Sequence, residues 1–139
     1  MGAASAIDPG VGDPAEQLRA LTGIGPDVVI DASGATAATL GAIEAARRGG
    51  RIVIVALPVA AASLNFFSIV STEKEIIGSL SHVYDEDFAA ALRLLGDGRV
   101  AAEPLISDRI PLADLVSRGL HRLEARAADT LKLLVIPER

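Results

Sequence analysis

The feature that most constrains this chain is an alternation of two textures. Three short β-branched runs, Asp27-Val28-Val29-Ile30-Asp31, Arg51-Ile52-Val53-Ile54-Val55-Ala56 and Glu75-Ile76-Ile77-Gly78-Ser79, are separated by longer stretches rich in alanine and leucine. Antiparallel strands can be joined by tight turns, whereas parallel strands need a long crossover, usually a helix. The alternation therefore predicts βαβ units: an α/β fold with a parallel sheet flanked by helices. Three β-branched residues in succession at 28–30 predict a strand buried on both faces.

Local signals place the helices. Asp13 precedes Pro14 and stands three residues before Glu16, an aspartate form of the capping box with proline at the first helical position. Leu18 and Leu21 share a face of that helix, and Gly23 ends it. A second helix is predicted from Thr36 to Arg48, with Leu40 and Ile43 toward the sheet. Arg47 and Arg48 then lie at its negative end, and Gly49-Gly50 stops it. Leu64 to Thr72 reads as a short helix. Asp85 caps a further one, in which Phe88, Ala91, Leu92 and Leu95 recur at helical spacing before Gly96 and Gly98. Ala4 to Asp8 is predicted as a short strand, broken at Pro9-Gly10. Beyond Arg99 the texture changes. Pro104 to Ile110 is extended, a helix runs from Pro111 or Leu112 to Leu123, and Leu131 to Ile136 is a last strand.

Composition excludes several classes. The 139 residues carry a formal net charge of −5 and are 50% hydrophobic, which suits an ordered domain with a core. A sequence pI of about 4.9 offers no basic field for phosphates, and 3% aromatic residues offer no stacking platform, so no nucleic-acid partner is expected. There are no cysteines, which removes thiolate nucleophiles and cysteine-based zinc sites. His82 and His121 are the only histidines, so a metal site built of histidine alone is unavailable to the sequence. The longest apolar stretch, Ile52 to Leu64, is broken by Pro58 and Ser63 and falls short of the roughly 20 residues that span a bilayer. The expectation is a cytoplasmic protein that does not engage a membrane.

Four features could carry chemistry. Gly10-x-Gly12-x-x-Ala15, with Asp31 at the end of the next strand, has the outline of a dinucleotide fingerprint. The competing reading is a turn and a cap, because the Asp13 carboxylate would occupy the N–H groups meant for a pyrophosphate. Asp85, Glu86 and Asp87 cluster at a helix start, where acids are favoured by the dipole alone. His82 follows a strand in a loop and could relay protons or simply be solvated. Lastly, Ser33-Gly34, Leu57-Pro58 and Gly78-Ser79 all follow strand ends, the edge at which open α/β sheets bind ligands. Strand ends also need turn residues, so this placement has a plain structural reading as well.

The segments GAASAIDP, LTGIGPDVVIDASG, RRGGRIVIVAL, EKEIIGSLSHVYDEDFAAALRLLGDGRV, PLISDRIPLADLV and TLKLLVIP cover nearly the whole chain. In that order and spacing the sequence resembles the C-terminal part of zinc-containing medium-chain dehydrogenases of the butanediol, sorbitol and threonine branch. The resemblance implies a partial Rossmann-type sheet (strands 3 to 6 of the family domain) over residues 1–100. It implies that 101–139 is the segment that returns to the family's catalytic domain. In the full family, NAD or NADP accepts hydride from a secondary alcohol or diol. By matching position, Ser33 and Gly34 resemble the loop near the adenosine side of the cofactor. Ala56, Leu57, Pro58, Gly78 and Ser79 resemble the backbone lining the nicotinamide, and Lys132 a basic position near the cleft. The family's zinc ligands, its glycine-rich turn and its ribose-reading acid have no counterpart here. No catalytic residue and no zinc are therefore expected in this chain, and weak or no cofactor binding. Missing neighbours would leave sheet edges bare, which implies a homodimer or a companion chain carrying the N-terminal half. The alternatives are a dimerisation module and a small standalone nucleotide-binding domain built on Gly10, Gly12 and Asp31.

Overall fold

A computed structural model describes residues 2–137, which form two compact units, one over 2–81 and one from 82 onward. The first unit contains helix α1 (Pro14–Thr22), strand β1 (Val28–Asp31), helix α2 (Thr36–Ala45), strand β2 (Arg51–Ile54), helix α3 (Phe66–Ser71) and strand β3 (Glu75–Gly78). The three strands form one parallel sheet in the order β1-β2-β3, with Val29 opposite Ile52 and Ile52 opposite Ile76. This is the α/β architecture that the alternating texture predicts.

Helix α1 starts as the sequence indicates. The Asp13 carboxylate accepts the Ala15 N–H at 2.9 Å, Pro14 opens the helix, and Gly23 closes it at φ +83°. Helix α2 is shorter than expected. It ends at Ala45, and Ala46 leaves the helical region at ψ 139°. Arg47 and Arg48 lie beyond its end and bind Asp27 (2.6 Å) and Glu73 (3.3 Å) instead. The cation at the negative end of α2 is Lys74, whose Nζ donates to the carbonyls of Ile43 (2.6 Å) and Glu44 (3.3 Å). Just before α2 ends, Gly25 passes so close that a Cβ there would sit 2.4 Å from the Ala45 carbonyl oxygen.

Alternation along the strands sorts their side chains between two faces. Val29, Ile52 and Ile54 meet Ala42, Ile43 and Ala46 of the α2 segment and Ile69 of α3, and Ile52 is fully buried. The other face carries Val28, Ile30, Arg51, Val53, Glu75 and Ile77. Val28 is 52% and Ile30 67% exposed, which corrects the expectation that β1 is buried on both sides. The reason is topological: both crossovers step the same way, and α2 and α3 pack on one face, Ile43, Ala46 and Ile69 meeting Ile52 there, as right-handed crossovers require. Ala4 to Asp8 also departs from expectation, since no strand forms there. Among the described residues no strand lies beside it to bond with. Asp8 instead folds back, its carboxylate accepting Gly10 N–H at 2.8 Å. Ala4, Ser5 and Ile7 line an open groove with Leu18 and Leu21 of α1.

The second unit begins with a single π-type turn over Tyr84–Phe88, continues into helix α4 (Ala89–Gly96), and pairs strand β4 (Ile106–Pro111) in parallel with strand β5 (Lys132–Ile136). Between those strands runs a helical stretch of 3-10 and π turns that ends in α5 (His121–Glu124). Asp85 does not cap α4. The Asp87 carboxylate reaches back to the Val83 N–H at 2.7 Å, closing the π turn from within. Ile110 is fully buried against Gly119, where a Cβ would meet its Cδ1 at 3.0 Å. Among the described residues no helix is long and apolar enough to cross a membrane.

The two faces of the sheet differ in what a substitution costs. Ile52→Ala should destabilise the chain by roughly 2–5 kcal/mol, the range for emptying a packed core site. Ile30→Ser on the open face should change stability by no more than about 0.5 kcal/mol. Urea unfolding of the three proteins, followed by circular dichroism, reads both values.

Candidate functional site

The C-terminal edge of the three-stranded sheet brings most of the expected site residues together. β1 leads into Ser33-Gly34, β2 into Val55-Ala56-Leu57-Pro58, and β3 into Ser79. The loops are stitched to one another. The carbonyl of Asp31 accepts the N–H groups of Val55 (3.0 Å) and Ala56 (3.2 Å), and that of Ile54 accepts the Ser79 N–H (2.9 Å). Gly34 has φ +70°, a conformation open to glycine, and a Cβ there would lie 3.9 Å from the Ala56 methyl. Beside Gly78 the space is open. Leu57 is 71% exposed, so this edge presents backbone and apolar surface rather than charge. Lys132 belongs to the second unit, where it starts β5 opposite Ile106.

Sequence reasoning named Asp31 only as the acid of a possible fingerprint and missed its part in organising the edge. The Asp31 carboxylate is buried and accepts three bonds: Ser33 N–H at 2.9 Å, Ser33 Oγ–H at 2.7 Å and Thr39 Oγ–H at 2.5 Å. Ser33 Oγ in turn accepts the Ala35 N–H at 3.2 Å. The Ser33 hydroxyl is thus committed to the protein. The Thr39 hydroxyl, followed by the Ser33 bonds, holds the Asp31 carboxyl below its usual pKa, outweighing the upward push of burial. The signal for this was present, since an aspartate two residues before a serine at a strand end is an Asx-turn pattern.

The other candidates stay apart from that edge. Gly10-x-Gly12-x-x-Ala15 follows no strand, and the helix start beyond it is occupied by Asp13, while Gln17 Nε2 donates to the Val11 carbonyl. Tyr84 stacks on Phe88 with ring centroids 5.3 Å apart and His82 lies 6.5 Å from the same ring, an aromatic cluster in the second unit. Among the described residues no group of three or more His, Asp or Glu side chains is placed to hold a metal ion.

A parallel sheet with three contiguous loops at its C-terminal edge is the architecture of a Rossmann-type domain, in the region where such domains receive ligands. Residues 1–97 match the family model for the zinc-binding dehydrogenases. The chain is 31% identical over 132 residues to an (R,R)-butanediol dehydrogenase of Neisseria gonorrhoeae, covering 94% of this chain and 37% of that protein. It is 35% identical over 127 residues to a putative D-xylulose reductase of Agrobacterium fabrum, covering 89% and 35%. The crystal structure of 2R,3R-butanediol dehydrogenase from Bacillus subtilis superposes with a TM-score of 0.85 at 28% identity, over 95% of this chain and 38% of that one. The chain belongs to the zinc-binding dehydrogenase family, and spans a little over a third of the length of these relatives.

The carboxylate of Asp31 ties stability to pH. Its folded pKa lies below the ordinary value of 3.8, so its contribution is full above 3.8 and is lost as pH falls through the lower folded value. The stability difference between the parent chain and Asp31→Asn should therefore be constant near neutrality and shrink below 3.8. Urea midpoints measured across that range test it, and a difference that grows on acidification refutes it.

Proposed function

We propose that this chain forms one wall of the cofactor cleft of a zinc-dependent dehydrogenase, at the loops that follow β1, β2 and β3. In the whole enzyme the reaction would be oxidation of a secondary alcohol or diol with NAD or NADP as hydride acceptor. The observation that carries this reading is the stitched edge, where Asp31 and Ile54 carbonyls bind adjacent loops into a continuous backbone surface. The open space beside Gly78 and the left-handed turn at Gly34 suit a flat ring laid against main chain. Ser33 would contribute through its backbone, because its hydroxyl is held by Asp31.

Zinc does not fit the donor set of this chain, which has no cysteine and no clustered ligands among the described residues. In the whole enzyme of our reading, the metal ligands would come from residues other than these. The two edges of the sheet favour assembly as well. β1 and β3 each have one neighbour, and an edge bearing unpaired N–H and C=O groups beside exposed Val28 and Ile30 is a template for another chain. That geometry supports our reading of a homodimer, or of a pairing with a chain carrying the N-terminal half. We place the protein in the cytoplasm.

Titration of the isotope-labelled chain with NADH and NADPH, followed by amide chemical shifts, tests the cofactor reading. The shifts are expected at residues 33–35, 55–58 and 78–79, with weak affinity, and changes centred on 10–15 would overturn it. The isolated chain should show no zinc-dependent oxidation of 2,3-butanediol, and measurable turnover would contradict the assignment of the metal ligands elsewhere. Size-exclusion chromatography at low micromolar concentration should show a dimer or larger species, and a well-folded monomer counts against assembly through the edges.

A further inference from the structure

We infer that Asp31 is a positioning residue that joins two loops of the edge into one body: its carboxylate fastens Ser33-Gly34, and its carbonyl fastens Val55-Ala56. The inference rests on the cofactor reading for what the loops are held ready to meet. The bonds themselves are independent of it.

The geometry is specific. Both carboxylate oxygens are used, Oδ1 for the N–H and hydroxyl of Ser33 and Oδ2 for the hydroxyl of Thr39. Thr39 is buried and lies in the first turns of α2, so the carboxylate is braced against a helix rather than against the loop alone. The chain continues through Ser33 Oγ to the Ala35 N–H, the entry to α2, where Ala35 itself has no side chain to cap with. On the main-chain side, one carbonyl serves two successive N–H groups of the next loop, at 3.0 and 3.2 Å. A shift of Asp31 thus moves both loops, and Gly34 faces the Ala56 methyl across the space that a Cβ would fill. Bonds to a charged acceptor are stronger than neutral ones, and they are formed before any ligand arrives. A ligand meeting this surface would not bear the cost of ordering it.

A loop anchor of no further consequence would loosen only the Ser33 turn when broken. A joint clamp loosens both loops and restores both together. Amide hydrogen exchange on the full chain separates these outcomes. Thr39→Val removes one donor at nearly constant volume, and Thr39→Ser returns the hydroxyl. Asp31→Asn is a second route that keeps the shape if Thr39→Val folds poorly. The amide of Glu75, bonded to Gly50 at the other end of the sheet, is the internal reference. Relative to Glu75, exchange at Ser33, Val55 and Ala56 should rise about tenfold in Thr39→Val, the scale of one lost hydrogen bond, and return toward the parent value in Thr39→Ser. Equal acceleration at Glu75, or acceleration at Ser33 without Val55 and Ala56, overturns the clamp. NADH titration of the same proteins reads the positioning role, with an about tenfold weaker affinity in Thr39→Val and recovery in Thr39→Ser, matching the exchange change. Unchanged affinity beside loosened loops overturns that role. Absence of any NADH response in the parent chain removes the cofactor reading and leaves the clamp to be decided by exchange.

Discussion

The handedness of two crossovers governs this structure. β1 passes to β2 and β2 to β3 in the same direction, so a right-handed path must lay α2 and α3 on the same side of the sheet. Ile52 then lies under Ile43 and Ala46 with no solvent exposure, and the core of the first unit forms on that side alone. The helical crossovers also let every strand run in parallel, which gathers the three loops that follow them at one edge. Core and candidate site are two results of one topological choice.

Long-range interactions finish what the topology begins. Lys74 precedes β3 yet caps the end of α2 through the carbonyls of Ile43 and Glu44. Burial lowers the pKa of its ammonium, with Glu44 acting in the opposite sense. In the second unit, Asp108 of β4 receives Arg118 (3.2 Å) and Arg122 (3.4 Å) from the helical stretch, and Arg122 also reaches Asp129 (3.0 Å). Each pair keeps at least partial access to water, with Arg122 and Asp108 the more covered, so each adds modest stability by itself. Their shared carboxylate orients the helical stretch over the β4–β5 pair.

How much of this could be read from the residues depends on the range of the interaction concerned. Strand positions were legible, because β-branched runs bounded by glycine and proline report a local preference. The two ends of α1 were equally plain, since Asp13 and Pro14 at its start and Gly23 at its close act within a turn of themselves. The end of α2 was not: Arg47 and Arg48 look like terminal cations, but a lysine far along the chain takes that place. Burial on both faces of β1 was misjudged because a Val-Val-Ile run states what a strand can bury, not whether anything covers it. The strand expected at Ala4–Asp8 had the same fault, for pairing needs a neighbour. At the candidate site, strand ends and small residues pointed to the edge where the three loops meet. The role of Asp31 lay unread in an ordinary Asp-x-Ser spacing, because its partner Thr39 and the Val55–Ala56 amides come from elements that only the fold brings close.

The ion pair on the uncovered side of the sheet has a consequence of its own. Arg51 and Glu75 face each other across β2 and β3 at 2.7 Å, in a row otherwise made of aliphatic side chains. Stacking a second apolar layer on that row would strip water from both charges, at several kcal/mol per ion before their attraction is counted. A strand joining at the β1 edge, with β2 and β3 on the far side, leaves both in water. The pair thus sets a cost on covering this face with apolar surface that strand pairing at the β1 edge does not meet.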